Sequence, residues 1–146
     1  MKSFFFDTSA LFKIYHIELG TEIVEPIYEN RNNTIYISNL SRIEFVSALC
    51  KRLRTEEISI DVFDLAYEKF DYDCKNRFEI TSFYGALIDE AEGLLKKYGR
   101  IKELRTLDAI QLATFKDNMD ENCLFVCADK KLNRLAKEIG LKTLDF

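Results

Sequence analysis

A single histidine and one proline stand among the 146 residues, with five glycines. So little proline and glycine leaves no stretch that reads as a flexible linker or a repeat array. Nor does any stretch approach the roughly 20 consecutive apolar residues that span a bilayer. The opening MKSFFFDTSALFKIYH carries a lysine and an apolar run, as a secretory leader does. Asp7 and Lys13 interrupt that run and no small-residue cleavage site follows, so the expectation is a cytoplasmic protein. The four cysteines, Cys50, Cys74, Cys123 and Cys127, contain no Cys-x-x-Cys pair, and His16 lies far from them. That pattern excludes the common zinc sites. Cys50 and Cys74 fall on apolar helical faces, where a reduced thiol packs as a small hydrophobe.

An excess of positive charge is also missing. The net charge is −4 and the pI about 5.2, where nucleic-acid binders usually carry a basic stripe. Four of the 25 acids assigned to metal would leave a surface balanced against the 21 lysines and arginines. Basic residues also cluster locally, at Lys51, Arg52 and Arg54, at Lys96, Lys97, Arg100 and Lys102, and at Lys130, Lys131 and Arg134. Each cluster taken alone also reads as a solvated helix face.

What is present is apolar residue at 47 %, enough for one packed domain over residues 1–146. Short apolar runs predict strands at 2–6, 34–38, 78–83, 123–127 and 141–144. Helical spacing predicts helices at about 9–16, 21–30, 41–54, 60–75, 87–98, 106–116 and 130–139. In the third of these, Ser41 and Glu44 match a capping box, and Ile43, Val46, Cys50 and Leu53 make one buried stripe. In the next, Phe63, Ala66, Tyr67, Phe70 and Cys74 share a face. Gly99 and Gly140 stand where helices stop. Strands separated by helices imply parallel pairing, hence an α/β protein with helices on both faces of a central sheet of about five strands. Leu11, Phe12, Ile14 and Tyr15 spread round the first helix, either as core or as a surface for a partner.

Four acids stand out by position. Asp7 and Asp129 follow apolar strands, at the edge where ligands bind in open parallel sheets. Glu44 and Asp108 fall near the first turns of helices that can point into the same crevice. Carboxylates so grouped repel one another unless hard divalent cations intervene. One or two Mg²⁺ or Mn²⁺ ions held by Asp7, Asp108 and Asp129, with Glu44 directly or through water, can activate a water and stabilise the leaving oxygen in phosphodiester cleavage. Such chemistry requires neither a histidine nor a nucleophilic serine. Lys130, Lys131 and Arg134 are candidates for the neighbouring phosphates. Each acid also has an ordinary structural explanation. Asp7 and Asp129 are good helix caps, Glu44 completes a capping box, and Asp108 suits a helix dipole.

The segments Phe6-Asp7-Thr8-Ser9-Ala10-Leu11, Ser41-Arg42-Ile43-Glu44-Phe45, Leu107-Asp108-Ala109-Ile110-Gln111-Leu112-Ala113 and Val126-Cys127-Ala128-Asp129-Lys130-Lys131-Leu132 resemble PIN domains. Their order and separation resemble VapC-like toxins in particular, over residues 4–146. The resemblance implies a PIN-like three-layer α/β/α sandwich with five parallel strands. It implies a Mg²⁺- or Mn²⁺-dependent endoribonuclease acting on RNA, often a homodimer, with an antitoxin as inhibitor. By position Asp7, Glu44, Asp108 and Asp129 form its acidic quartet, with Asp7 and Asp108 as direct metal ligands and Thr8 or Ser9 assisting near Asp7. Two positions depart from the family: Cys127 replaces a usual serine or threonine, and Gln111 stands where histidine is frequent. A PIN fold that binds RNA or protein without cutting, and a nuclease for structured DNA or precursor ribosomal RNA, are the alternatives.

Overall fold

The computed structural model describes residues 1–146. Strand β1 (Ser3–Phe6) leads into a short helix α1 (Thr8–Leu11), extended by a 3₁₀ turn over Phe12–Ile14. Then come α2 (Thr21–Glu29), β2 (Thr34–Ser38), α3 (Leu40–Arg54), α4 (Ile60–Asn76), β3 (Phe78–Thr81), α5 (Ala86–Tyr98), α6 (Thr106–Asn118), β4 (Leu124–Val126) and α7 (Lys130–Glu138). The sheet is wholly parallel, in the order β3-β2-β1-β4, with Phe4 opposite both Ile35 and Leu124. The chain therefore builds outward from β1 in one direction and returns to its other side with β4. That reversal lies between β1 and β4, whose C-terminal ends carry Asp7 and Asp129.

Side-chain alternation along β1 divides the core into two halves. Phe4 and Phe6 pack with Leu11, Phe45 and Phe70 on one face, and Phe5 packs with Leu112, Phe115 and Phe125 on the other. Helices on both faces make the expected α/β/α sandwich. Leu11 and Phe12 are buried, and Ile14 and Tyr15 pack against the first half-core, so the first helix spends its apolar residues on the core.

Some local expectations change. The sheet has four strands, because the segment near 141–144 reaches β4 only through one bridge, Phe125 to Thr143. The Asn133 amide donates to Leu144 O at 2.9 Å and Cys127 O at 3.2 Å, so a side chain ties down this segment where a ladder would otherwise run. In α3 the buried residues are Ser41, Phe45 and Leu49. Ile43 is 70 % exposed and, with Val46 and Cys50, lines a groove against Tyr67 and Phe70 of α4. Ser41 lies inside α3, after its N-cap Asn39, and no capping box forms. Gly99 closes α5 in an ordinary right-handed conformation at φ −64°, whereas Gly140 takes a left-handed φ of +90°.

Candidate active site

Asp7 and Asp129 are placed by the same device. Each follows a strand and caps the next helix: Asp7 Oδ2 accepts from the Ser9 amide (3.2 Å), and Asp129 Oδ1 accepts from the amides of Lys131 (2.9 Å) and Leu132 (3.1 Å). The capping explanation thus holds for both, and it fixes where both point. Ser9 joins the two strand ends. Its hydroxyl donates to Asp7 Oδ2 at 2.8 Å and accepts from the Ala128 amide at 3.1 Å. The Asp7 amide also donates to Val126 O at 2.9 Å.

Glu44 lies one turn into α3 and faces α1 and α6. Its Oε1 accepts from Thr8 Oγ1 (3.0 Å) and from Gln111 Nε2 (2.8 Å). Gln111 also donates to Ser41 Oγ at 3.0 Å. Thr8 therefore serves Glu44 while Ser9 serves Asp7. Gln111 is three residues after Asp108, on the same face of α6, so the helix that presents one acid orients another.

These bonds have a common pattern. In Asp7, Glu44 and Asp129 one carboxylate oxygen takes every hydrogen bond the protein makes, leaving the other without a protein partner. All three line one open cavity of about 480 Å³ together with Asp108 from the first turn of α6. Burial, then the charges of Asp7 and Asp129, push the Asp108 carboxyl up to about 6. Asp7 is raised chiefly by burial and also by the Glu44 charge. Carboxyls held above their usual range in a shared cavity are an arrangement that cations relieve.

The four line the cavity without closing into a cage: no group of three His, Cys, Asp or Glu side chains stands close enough to enclose a metal ion alone. All-oxygen donors, free oxygens and an open cavity still fit a hydrated hard cation. Mg²⁺ keeps several waters and is bound through one or two carboxylates. A dehydrated soft-metal site does not fit, because the one thiol nearby is engaged and protonated. Burial and the Asp7 charge push the Cys127 thiol up, and its Sγ donates to Asp7 Oδ2 at 3.6 Å.

Of the basic residues singled out in the sequence, Lys130 and Lys131 line a second cavity of about 360 Å³ that shares Asp108 and Asp129 with the first. Arg134 opens onto a different cavity that holds none of the four acids. The structure adds Lys13, Glu18 and Arg105 to the walls of the acidic cavity, and brings Arg52 of the first basic cluster there. Arg52 had a signal in its position, two helical turns beyond Glu44 on α3. Lys13 and Glu18 had none, because the turn after α1 brings them there.

No curated protein matches the chain. Among solved structures it resembles VapC20 of Mycobacterium tuberculosis, described as a sarcin-ricin loop cleaving toxin, at 14 % identity and TM-score 0.69, over 94 % of this chain and 95 % of that one. VapBC2 of Rickettsia felis, bound to a DNA fragment from its promoter, matches at 20 % identity and TM-score 0.63, over 97 % of both chains. FitAcB of Neisseria gonorrhoeae matches at 15 % identity and TM-score 0.69, over 97 % of this chain and 96 % of that one. Likeness at such identities speaks for the fold. The family profile of the PIN domain, in turn, matches residues 4–138. With that match over most of its length and acids at the reversal of a parallel sheet, the chain belongs to the PIN domain family.

Proposed function

We propose that the chain is an endoribonuclease dependent on Mg²⁺ or Mn²⁺, and that residues 1–146 act as one catalytic domain. The observation that carries this reading is the free oxygen kept by each of Asp7, Glu44 and Asp129 in the cavity they share with Asp108. A hard divalent cation, when bound, supplies positive charge that acidifies a water and offsets charge on the phosphate during hydrolysis. Asp7, Asp108 and Asp129 would hold that cation, with Glu44 holding it directly or through water. Ser9 fixes the rotamer of Asp7. Thr8 and Gln111 fix that of Glu44. Lys130 and Lys131, beside Asp129, hold phosphates of the RNA backbone. Arg134, on a separate cavity, serves at most a more distant phosphate.

The likeness to VapC20, VapBC2 and FitAcB supports the further reading that this chain is the toxin of a type II toxin–antitoxin pair. Its partner is then a cognate antitoxin, its working form a homodimer and its site of action the cytoplasm. No helix is long and apolar enough to cross a membrane.

The test is cleavage of a labelled RNA panel in Mg²⁺ or Mn²⁺, with EDTA and Asp7→Asn as controls. Cleavage lost in both controls supports the reading, with a fall of at least about a hundredfold expected for Asp7→Asn. Cleavage unchanged in a folded Asp7→Asn protein rules the mechanism out. If the folded wild type cuts no RNA, a non-cutting RNA- or protein-binding PIN module is favoured.

A further inference from the structure

The acidic cavity is flanked by two carboxylates that are not part of the quartet, and each holds two cations. On the α1–α3 side, Glu18 accepts from Lys13 Nζ (3.0 Å) through one oxygen and pairs with Arg52 Nη2 (3.3 Å) through the other. On the α7 side, Glu103 pairs with Lys131 and, at 3.9 Å, with Arg105. Arg105, Asp108 and Asp129 are walls common to both cavities, so two of the four acids stand where the cavity with Arg52 meets the cavity with Lys131. The Glu103 group carries one more positive charge than negative, and in the Glu18 group Arg52 also pairs loosely with the exposed Glu57, at 3.8 Å.

The two ends are built differently. The Lys13, Arg52 and Glu18 side chains are only 12 %, 22 % and 29 % exposed. Lys13 is committed, since Nζ also donates to Leu19 O at 2.6 Å. Arg52 is not. Its guanidinium lies 4.1 Å from the centre of the Phe12 ring, Nη2 alone makes a hydrogen bond, and the buried Nε makes none, lying 3.8 Å from the exposed Glu57 carboxylate. A guanidinium has five donors in a planar fork that matches phosphate oxygens. Lys13 and Glu18 therefore brace a fork whose Nη1 hydrogens make no bond to the protein. At the other end Lys131, Glu103 and Arg105 are 71 %, 56 % and 77 % exposed. Exposed pairs of this kind are weak and yield readily to a competing anion.

We propose that Arg52, preset on Phe12 and Glu18, and the pair Arg105 and Lys131, latched by Glu103, hold the backbone phosphates on the two sides of the phosphate to be cut. Glu18 stays in place when RNA binds, whereas Glu103 occupies in the free protein the position a phosphate takes from it. The inference rests on the nuclease reading and adds to it the path of the strand: from the α1–α3 rim, across the four acids, to the start of α7.

The experiment measures binding of a fluorescein-labelled single-stranded oligoribonucleotide to the Asp7→Asn protein in Mg²⁺, by anisotropy over a range of salt. Arg52→Gln and Arg105→Ala are each expected to reduce the slope of log K against log salt by about 0.7, the value for one lost phosphate contact on a single strand. Glu103→Gln is expected to tighten binding about threefold, the worth of one exposed ion pair released. Arg52→Lys keeps the charge and the fold; it should keep the slope but weaken binding, because the fork is gone. Slopes unchanged in Arg52→Gln and Arg105→Ala, with no gain in Glu103→Gln, overturn this assignment while leaving the nuclease intact if the wild type still cuts RNA. Wild-type protein that neither binds nor cuts any RNA overturns the nuclease reading, and the strand path with it. Should Arg52→Gln fail to fold, an affinity for Arg52→Lys equal to that of its parent overturns the Arg52 contact.

Discussion

Gln111 of α6 donates to Glu44 of α3 at 2.8 Å, although 67 residues separate them in sequence. The amide cannot be turned over without facing its oxygen toward the Glu44 carboxylate. Its own Oε1 has no partner in the buried interior. The bond is therefore made at some cost to stability and serves the orientation of Glu44.

Gln111→Leu should accordingly change stability little, by less than about 1 kcal/mol, because the orphaned oxygen leaves with the donor. RNA cleavage should fall roughly tenfold to a hundredfold, as when a group that orients a metal-binding side chain is lost. Gln111→His, with a ring N–H to offer Glu44, should recover most of it. Melting curves and cleavage rates on the same preparations check both halves; equal activity in Gln111→Leu would remove the positioning role.

Asp108 gives a pH signature in metal-free protein. Its folded-state carboxyl, near 6, lies above the unfolded value, so the folded state binds the extra proton. Stability then falls as pH rises from about 4 through 6 and is lowest, for this group, above that. Asp108→Asn should remove the penalty. Water screens this half-exposed carboxylate, so the gain at pH 7 is about 1 kcal/mol, or about 3 °C in Tm, and it vanishes near pH 4. Excess Mg²⁺ should raise the Tm of the wild type at pH 7 and raise that of Asp108→Asn far less. Parallel melts with and without EDTA decide it.

Cys127 offers Asp7 a protonated thiol at 3.6 Å. A hydroxyl at that position is a better donor to a carboxylate, so Cys127→Ser should favour the ionised form of Asp7. Mg²⁺ affinity at pH 6, followed by calorimetry, should rise roughly threefold, the worth of an ordinary hydrogen bond gained. Unchanged affinity would show that the thiol does not tune Asp7 and is kept for packing alone.

Outside the lining of the acidic cavity, the buried Asp73 carboxyl accepts from Tyr15 at 2.6 Å and Tyr28 at 2.8 Å. Burial and then Asp73 push both phenols up, so they remain donors at any ordinary pH. Tyr15→Phe should cost about 2 kcal/mol in urea unfolding and leave Mg²⁺ affinity unchanged. A shift in affinity would connect this cluster to the site.

Much of this was legible in the chain because strand, aspartate and helix follow one another at both Asp7 and Asp129. The apolar run sets the strand, the cap sets the carboxylate, and the parallel sheet puts both at one edge. Helix α3 was less readable, since it has two apolar stripes. Ile43, Val46 and Cys50 follow helical spacing as well as Phe45 and Leu49 do, and only the packing of α4 decides which stripe is covered. Ser41 and Glu44 matched a cap signature three residues apart, yet their side chains are drawn to Thr8 and Gln111, partners that local sequence does not contain. The segment near Thr143 has strand composition, but Asn133 claims its carbonyl. Glu18 and Lys13 reach the crevice through a turn, and turns carry no periodicity to read.

The pairing of β1 with β4 has a consequence for synthesis. Asp7 and Cys127 touch across 120 residues of chain, so one wall of the crevice is synthesised well before the other. Until β4 emerges, β1 can pair with β2 alone, and Asp7 has neither Cys127 nor Asp129 beside it. A growing chain therefore carries no assembled crevice until β4 is made, and the acids meet only in the finished fold.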